Sequence, residues 1–209
     1  MNREELGRKF ARLTTNAVVA QPWLWRIFRR PLRKTFDDLA PRWDAMRSPG
    51  HLAAYERALD AVPVPPARAL DVGTGTGDGA IAIAYRFPRA EVVGVDLAEA
   101  MLAEARRKLP DELRGRVRFD FGDGSSLPYP DGSFDLVAHA NMIPFFDEIA
   151  RLVAPGGSAL FAFSGGADTP IYVPSARLCT ELEQRGFTEF ADFEAGAGTS
   201  LLATKPKPS

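Results

Sequence analysis

The run Leu70-Asp71-Val72-Gly73-Thr74-Gly75-Thr76-Gly77-Asp78-Gly79 constrains this chain more than any other stretch. Ala67, Ala69, Leu70 and Val72 read as a buried strand leading into it. Ala80, Ile81, Ile83, Ala84 and Phe87 put an apolar face on a helix leading out of it. Between them, glycines stand at alternate positions. A turn of this kind lets backbone pass close to a ligand, because glycine has no Cβ and tolerates positive φ. The helix that follows offers unpaired N–H groups and a positive dipole end to an anionic group. The pattern predicts a nucleotide-type pocket.

The rest of the chain suits one core with an appendage. Its 209 residues suffice for a single sizeable domain. The charged start, Met1-Asn2-Arg3-Glu4-Glu5, lacks the apolar run of a signal peptide, and no stretch approaches the length that spans a bilayer. The single Cys179 excludes an internal disulfide and fits a reducing compartment. A cytoplasmic protein is expected. Charge is unevenly spread. Residues 1–50 hold eleven Lys/Arg against five Asp/Glu, which leaves the remainder at −7. A basic arm joined to an acidic domain is expected.

Residues 1–20 read as a helix with Leu6, Phe10, Leu13 and Ala17 on one stripe. Pro22 suits the first turn of a second helix, and Arg26, Arg29, Arg30 and Arg33 would share one of its faces. Pro31 should kink or restart it. Basic residues beside Trp23, Trp25 and Phe28 suit either a membrane-surface helix or a solvated basic face whose aromatics pack inward. Ser48-Pro49 predicts a third helix start, and Leu52, Tyr55, Leu59 and Val62 lie on one stripe of that helix. Pro63, Pro65 and Pro66 then mark the entrance to the main domain.

Beyond them strand and helix alternate. Strands are predicted at 67–72, 91–96, 117–122, 134–140 and 158–163, with shorter β segments near 187–194 and 199–204. Helices are predicted at 78–87, 98–109, 145–153 and 174–185. The pattern implies an α/β fold, a doubly wound and mostly parallel sheet with an N-terminal helical extension. The expected division is an arm or lid at 1–62, a cofactor-binding domain at 63–204 and a loose tail at 205–209.

Two carboxylates sharpen the pocket. Glu91-Val92-Val93-Gly94-Val95-Asp96-Leu97 puts Asp96 at the carboxyl end of the second strand, where ligands of such sheets sit and where it could accept both hydroxyls of a ribose. It could also cap the helix behind it. Asp123 ends the third strand on the same rim. There it could accept an adenine amine while the Gly124 N–H faces a ring nitrogen. Asp135 opens the fourth strand and reads as structural.

Together these residues resemble the class I S-adenosylmethionine-dependent methyltransferases, most closely the ubiquinone/menaquinone-biosynthesis type acting on small molecules. The family's first motif stands at Leu70 to Gly77. Its ribose-binding acid matches Asp96 and its adenine-side acid matches Asp123. Its Leu-Pro-Phe-Pro-Asp-x-Ser-Phe-Asp signature matches Leu127 to Asp135, with Tyr129 for Phe. Its approach to the fifth strand matches Ala150-Arg151-Leu152-Val153-Ala154-Pro155-Gly156-Gly157. Its Ala-x-x-Tyr-Asp element is Ala40-Pro41-Arg42-Trp43-Asp44 here, so Trp43 is either a lid residue or a core aromatic. After the fourth strand the chain departs from the family: Asn141-Met142-Ile143-Pro144-Phe145-Phe146 replaces a longer segment.

The resemblance implies a Rossmann-like methyltransferase fold, S-adenosylmethionine as cofactor and in-line methyl transfer to a small molecule. It implies a cofactor site at Asp71, Gly73, Thr74, Gly75, Gly77, Asp96, Leu97, Asp123, Gly124, Ala140 and Trp43. His139 is the candidate general base, with a packed strand histidine as the alternative. His51 reads as structural. No metal and no nucleic-acid partner is expected, and the acceptor should be apolar or aromatic. Its pocket would draw on residues 1–62, 141–146 and 164–174. Peripheral membrane contact through the arm is one version of this reading. A nicotinamide-dependent oxidoreductase and a non-catalytic S-adenosylmethionine-binding subunit are the alternatives.

Overall fold

A computed structural model describes residues 3–207, with side chains from Glu5 onward; Pro208 and Ser209 of the expected tail lie outside the described residues. The arm holds helices α1 (Arg3–Ala20) and α2 (Trp25–Leu39), followed by short 3-10 turns. Then come α3 (Ala53–Asp60), β1 (Arg68–Val72), α4 (Asp78–Arg86), β2 (Glu91–Asp96) and α5 (Glu99–Lys108). The second half runs β3 (Val117–Phe121), β4 (Phe134–Ala140), α6 (Phe146–Leu152), β5 (Val153–Phe163), α7 (Ser175–Glu183), β6 (Glu189–Ala195) and β7 (Gly198–Thr204).

The strands form one seven-stranded sheet in the order β3-β2-β1-β4-β5-β7-β6. The pairs β1–β2, β1–β4, β2–β3 and β4–β5 are parallel, and β7 runs antiparallel to both of its neighbours. Strand order reverses between β1 and β4, which opens a crevice at their carboxyl ends. Alternation along each strand divides the core between two faces. Leu70, Val72, Val137, Phe161 and Leu201 meet α1, α2, α6 and α7 through Val18, Trp25, Phe146, Ile149, Leu178 and Leu182. Ala69, Val92, Leu136, Leu160 and Leu202 meet α3, α4 and α5 through Tyr55, Leu59, Ile83 and Leu102. Both faces are covered over the inner strands β1, β2, β4 and β5, which are mostly apolar and buried, whereas the edge strands β3 and β6 carry exposed charged residues.

Four local expectations are corrected. Helix α2 runs through Pro31 without a restart. The carbonyl that loses its partner belongs to Ile27, which faces solvent, so water can replace the missing N–H. Ser48-Pro49 does not start α3. Gly50 takes φ +73, the segment closes as a turn with the His51 N–H on the Ser48 carbonyl, and the helix begins at Ala53. Strand β5 begins at Val153 rather than 158, running through the Pro155-Gly156-Gly157 punctuation. The start of the tail is not loose: the Lys205 N–H donates to the Gly157 carbonyl at 2.9 Å, and the Gly156 N–H donates to the Pro206 carbonyl at 3.1 Å.

Candidate functional site at the strand tips

The turn after β1 is wound as its glycines suggest. Gly73, Gly75 and Gly77 take φ of +71, +54 and +89, and Gly77 is the left-handed residue from which α4 starts. The N–H groups of Gly73 and Thr74 both donate to the Val95 carbonyl, at 2.8 and 3.0 Å. Asp71 lies buried beneath the turn. The Thr74 hydroxyl donates to it at 2.6 Å and the Tyr55 hydroxyl at 3.2 Å. Burial pushes the Asp71 carboxyl up to about 6, against the lowering effect of bonds from Thr74, Tyr55 and the Ala80 N–H. A Cβ on Gly79 would sit 2.7 Å from an Asp71 oxygen, so glycine is required there for close approach.

Asp96 joins the tip of β2 to this turn. One oxygen accepts the Gly75 N–H at 2.8 Å and the other accepts the Ala98 N–H at 2.8 Å. The carboxylate therefore holds the residue that leads into α5 and also fastens the glycine turn, while Asp37 accepts the Ala100 N–H in the first turn of that helix at 3.0 Å. With the Leu97 N–H also directed at it, the Asp96 carboxylate keeps about one of its four acceptor sites free. Burial raises the pKa of Asp96 despite bonds from the Ala98, Gly75 and Leu97 N–H groups. Leu97 follows it, partly buried against the core, and Ala140 ends β4 on the same edge.

Asp123 follows β3 on this rim, and the arm has engaged it. Its Oδ1 accepts the Trp25 indole N–H at 2.7 Å, together with the N–H and hydroxyl of Ser125 at 3.0 and 2.8 Å. Arg29 approaches its Oδ2 at 3.4 Å. The basic face of α2 is thus divided. Arg29 and Arg33 turn inward, Arg33 over the Phe121 ring at 5.1 Å, whereas Arg26 and Arg30 point to solvent. Met142 crosses the tips between Gly73 and Gly124: its Sδ crowds the place of a Gly73 Cβ, and its Cε lies 2.8 Å from that of Gly124.

A second set of arm residues holds the glycine turn from outside. Asp44 accepts the Thr76 hydroxyl at 2.5 Å and Lys108 at 2.8 Å, and Lys108 and Arg47 both pair with Asp78. His51 stands 3.3 Å from the same Asp78. Burial raises the Asp44 pKa, but Lys108, Thr76 and Arg47 outweigh it, so the net shift is downward. The Trp43 Nε1 lies 3.7 Å from the missing Cβ of Gly75 and has no hydrogen-bond partner, and an Arg47 nitrogen lies 3.5 Å from the same point. Trp43 also packs edge-on against Phe36, with ring centroids 5.6 Å apart. It is therefore both a packed aromatic and a donor aimed at the turn.

His139 is buried, 2 % exposed, and stacked on Phe161 at 5.2 Å. Neither ring nitrogen has a partner, and burial lowers its pKa to about 3. The arrangement is that of a packed, neutral strand histidine; a base needs a route to a substrate proton, and this ring is enclosed. Asp135 accepts the N–H groups of Ala67 and Arg68 at 2.9 Å and is structural. The 141–146 segment is largely used for packing, with Ile143, Phe145 and Phe146 in the core. Two crevices, of about 310 and 260 Å³, lie away from the strand tips, the larger between α7 and the β6–β7 hairpin.

Sequence reasoning found the tip residues and missed the contacts that reach them. Nothing local signals the reach of Trp25 and Arg47 from the arm, of Lys108 from the end of α5 or of Met142 from the segment after β4. Asp44 had a signal, as the acid of the Ala40 to Asp44 element.

Residues 69–157 match a family described as a methyltransferase domain. Residues 69–157 thus carry a methyltransferase domain. The match favours methyl transfer over the nicotinamide oxidoreductase. A demethylmenaquinone methyltransferase of Thermus thermophilus is 44% identical over 135 residues, covering 58% of this chain and 60% of that protein. A malonyl-[acyl-carrier protein] O-methyltransferase of Halorhodospira halophila is 40% identical over 149 residues, covering 66% of this chain and 50% of that protein. The chain thus spans half to three-fifths of the length of these relatives. Among solved structures, a SAM dependent methyltransferase from Aquifex aeolicus shares the fold, with a TM-score of 0.66 at 18% identity, covering 79% of this chain and 97% of that one. The methyltransferase cofactor is S-adenosylmethionine. The tips suit it: wound glycines, a buried carboxylate with an acceptor site to spare and an unpartnered indole N–H face one another.

Proposed function

We propose that this chain transfers a methyl group from S-adenosylmethionine to a small apolar or aromatic acceptor. The Gly75–Asp96 contact carries the reading, because it brings the first two strand tips to one place with acceptor capacity left over. Asp96 would hold the ribose, and Asp123 the adenine amine beside the Gly124 N–H. Gly73, Thr74, Gly75 and Gly77 would line the methionine end above Asp71, with Leu97 and Ala140 as apolar walls. Trp43 and Arg47 would close over that end and point donors at a carboxylate. Bound S-adenosylmethionine supplies a methyl group on a cationic sulfur, open to in-line attack. The chain's own work is then alignment and exclusion of water.

The arm supports an apolar acceptor held at a membrane surface. Trp23 and Ile27 are both 60% exposed, one helical turn apart, with Arg26 and Arg30 beside them. Neither arginine makes an ion pair among the described residues. Apolar side chains flanked by cations suit an anionic lipid surface. Among the described residues no helix is long and apolar enough to cross a membrane, so such contact would be peripheral. Methyl transfer from labelled cofactor to quinols, phenols and fatty-acyl carboxylates, read by mass spectrometry, tests the reaction. Activity confined to polar amines would refute the acceptor class. Co-sedimentation with phosphatidylglycerol vesicles tests the surface, and no binding by the intact chain would remove it.

A further inference from the structure

We propose that Trp25 occupies the adenine's place on Asp123, so that the arm competes with the cofactor for this carboxylate. This rests on Asp123 as the adenine-side acid. Oδ1 of Asp123 already takes three donors, the Trp25 indole N–H and both donors of Ser125. A carboxylate has about four lone-pair sites in all, and Arg29 stands at the other oxygen. An incoming exocyclic amine therefore needs the indole's position. The indole is an apt stand-in: a flat, aromatic donor of one N–H, set at the rim where a purine would present its own.

The neighbouring packing says the same. Trp25 meets the Phe145 ring edge-on at 5.2 Å, and Phe145 lies 3.7 Å from the missing Cβ of Gly124. Met142 fills the space between Gly124 and Gly73. Trp25, Phe145 and Met142 together close the slot between the tips of β1 and β3. The glycines that admit a ligand here are the ones these side chains now touch. Release of Trp25 and admission of the adenosyl group are then a single event, and Trp25 sets cofactor affinity by opposing it.

Titration calorimetry with S-adenosylhomocysteine tests this on the full chain. Trp25→Phe keeps an aromatic ring against Phe145 and deletes the N–H. It should tighten binding about 10- to 100-fold, the worth of one hydrogen bond to a charged group. Ligand addition to the unsubstituted protein should also shift tryptophan emission to the red, and the shift should shrink in Trp25→Phe. Unchanged or weaker binding by Trp25→Phe overturns the proposal, because the indole would then be a fixed latch or a partner of adenine. Asp123→Ala, made in the Trp25→Phe background where no indole N–H competes, separates the two readings. If it weakens binding there while Trp25→Phe alone does not strengthen it, only the competition fails. If it leaves affinity unchanged in that background, the assignment of adenine to Asp123 fails.

Discussion

The Gly75 N–H donates to Asp96 at 2.8 Å, across twenty-one residues, and ties the turn after β1 to the end of β2. The same carboxylate accepts the Ala98 N–H, at the residue that leads into α5. Asp96→Asn keeps one acceptor oxygen and turns an amide toward the other donor. One charge-assisted bond is lost in a buried place, so urea denaturation should show a loss of about 1–3 kcal/mol. Unaltered stability would mean that the turn stands without this tie.

The Asp44, Lys108 and Asp78 group should govern how firmly the arm stays down. Lys108 reaches both acids and the Thr76 hydroxyl at 3.0 Å. Lys108→Met leaves the two acids to Arg47, with His51 beside Asp78 and the Thr76 hydroxyl on Asp44. Limited proteolysis should then cut residues 40–52 several-fold faster, and high salt should narrow the gap by loosening the unsubstituted protein. Equal cutting rates would show that apolar packing alone holds the arm.

Asp71 makes a signed prediction in pH. Its folded pKa of about 6 stands above the usual aspartate value of 3.8. An acid with a raised pKa binds more protons folded than unfolded, so stability falls as pH rises through this window. Relative to Asp71→Asn, the unsubstituted protein should lose roughly 3 kcal/mol at most between pH 4 and pH 7. Urea midpoints across that range measure it, and a relative gain on raising pH would contradict the buried assignment.

His139 runs the other way. Its folded pKa of about 3 lies below the usual histidine value of 6.5. A base with a depressed pKa gives up protons on folding, so its share of stability is complete above pH 6.5 and fades as pH falls toward 3. The two ring nitrogens lack partners even when neutral. His139→Leu should therefore raise stability by about 1–2 kcal/mol at pH 7 and flatten the acid limb of the curve. Destabilisation at pH 7 would mean that the stack on Phe161 outweighs the orphaned nitrogens.

The sheet and its rim were legible because local pattern writes them. Residues such as Leu70 and Val72 alternate with Ala69 to serve two covered faces, and the wound glycines announce the turn. Asp96 was legible for the same reason, as a carboxylate at a strand end before a helix. The start of β5 was hidden by Pro155-Gly156-Gly157, because β5 pairs with β4 at Val153 and again from Ser158, and the breakers lie in the irregularity between. Ser48-Pro49 had the letters of a helix start, but Gly50 turned the chain away first. The Trp25–Asp123 bond spans ninety-eight positions, and no local pattern encodes such a meeting. His139 looked available only because its neighbours on other elements could not be seen.

The central claim is that the tips of β1, β2 and β3 form one adenosyl site. Isothermal titration of the intact chain and of Asp96→Ala with S-adenosylmethionine and with NAD tests it most directly. Saturable binding of S-adenosylmethionine, at least 10-fold weaker in Asp96→Ala and without measurable NAD affinity, is the predicted result. Binding of NAD in its place, or S-adenosylmethionine affinity indifferent to Asp96, would contradict it.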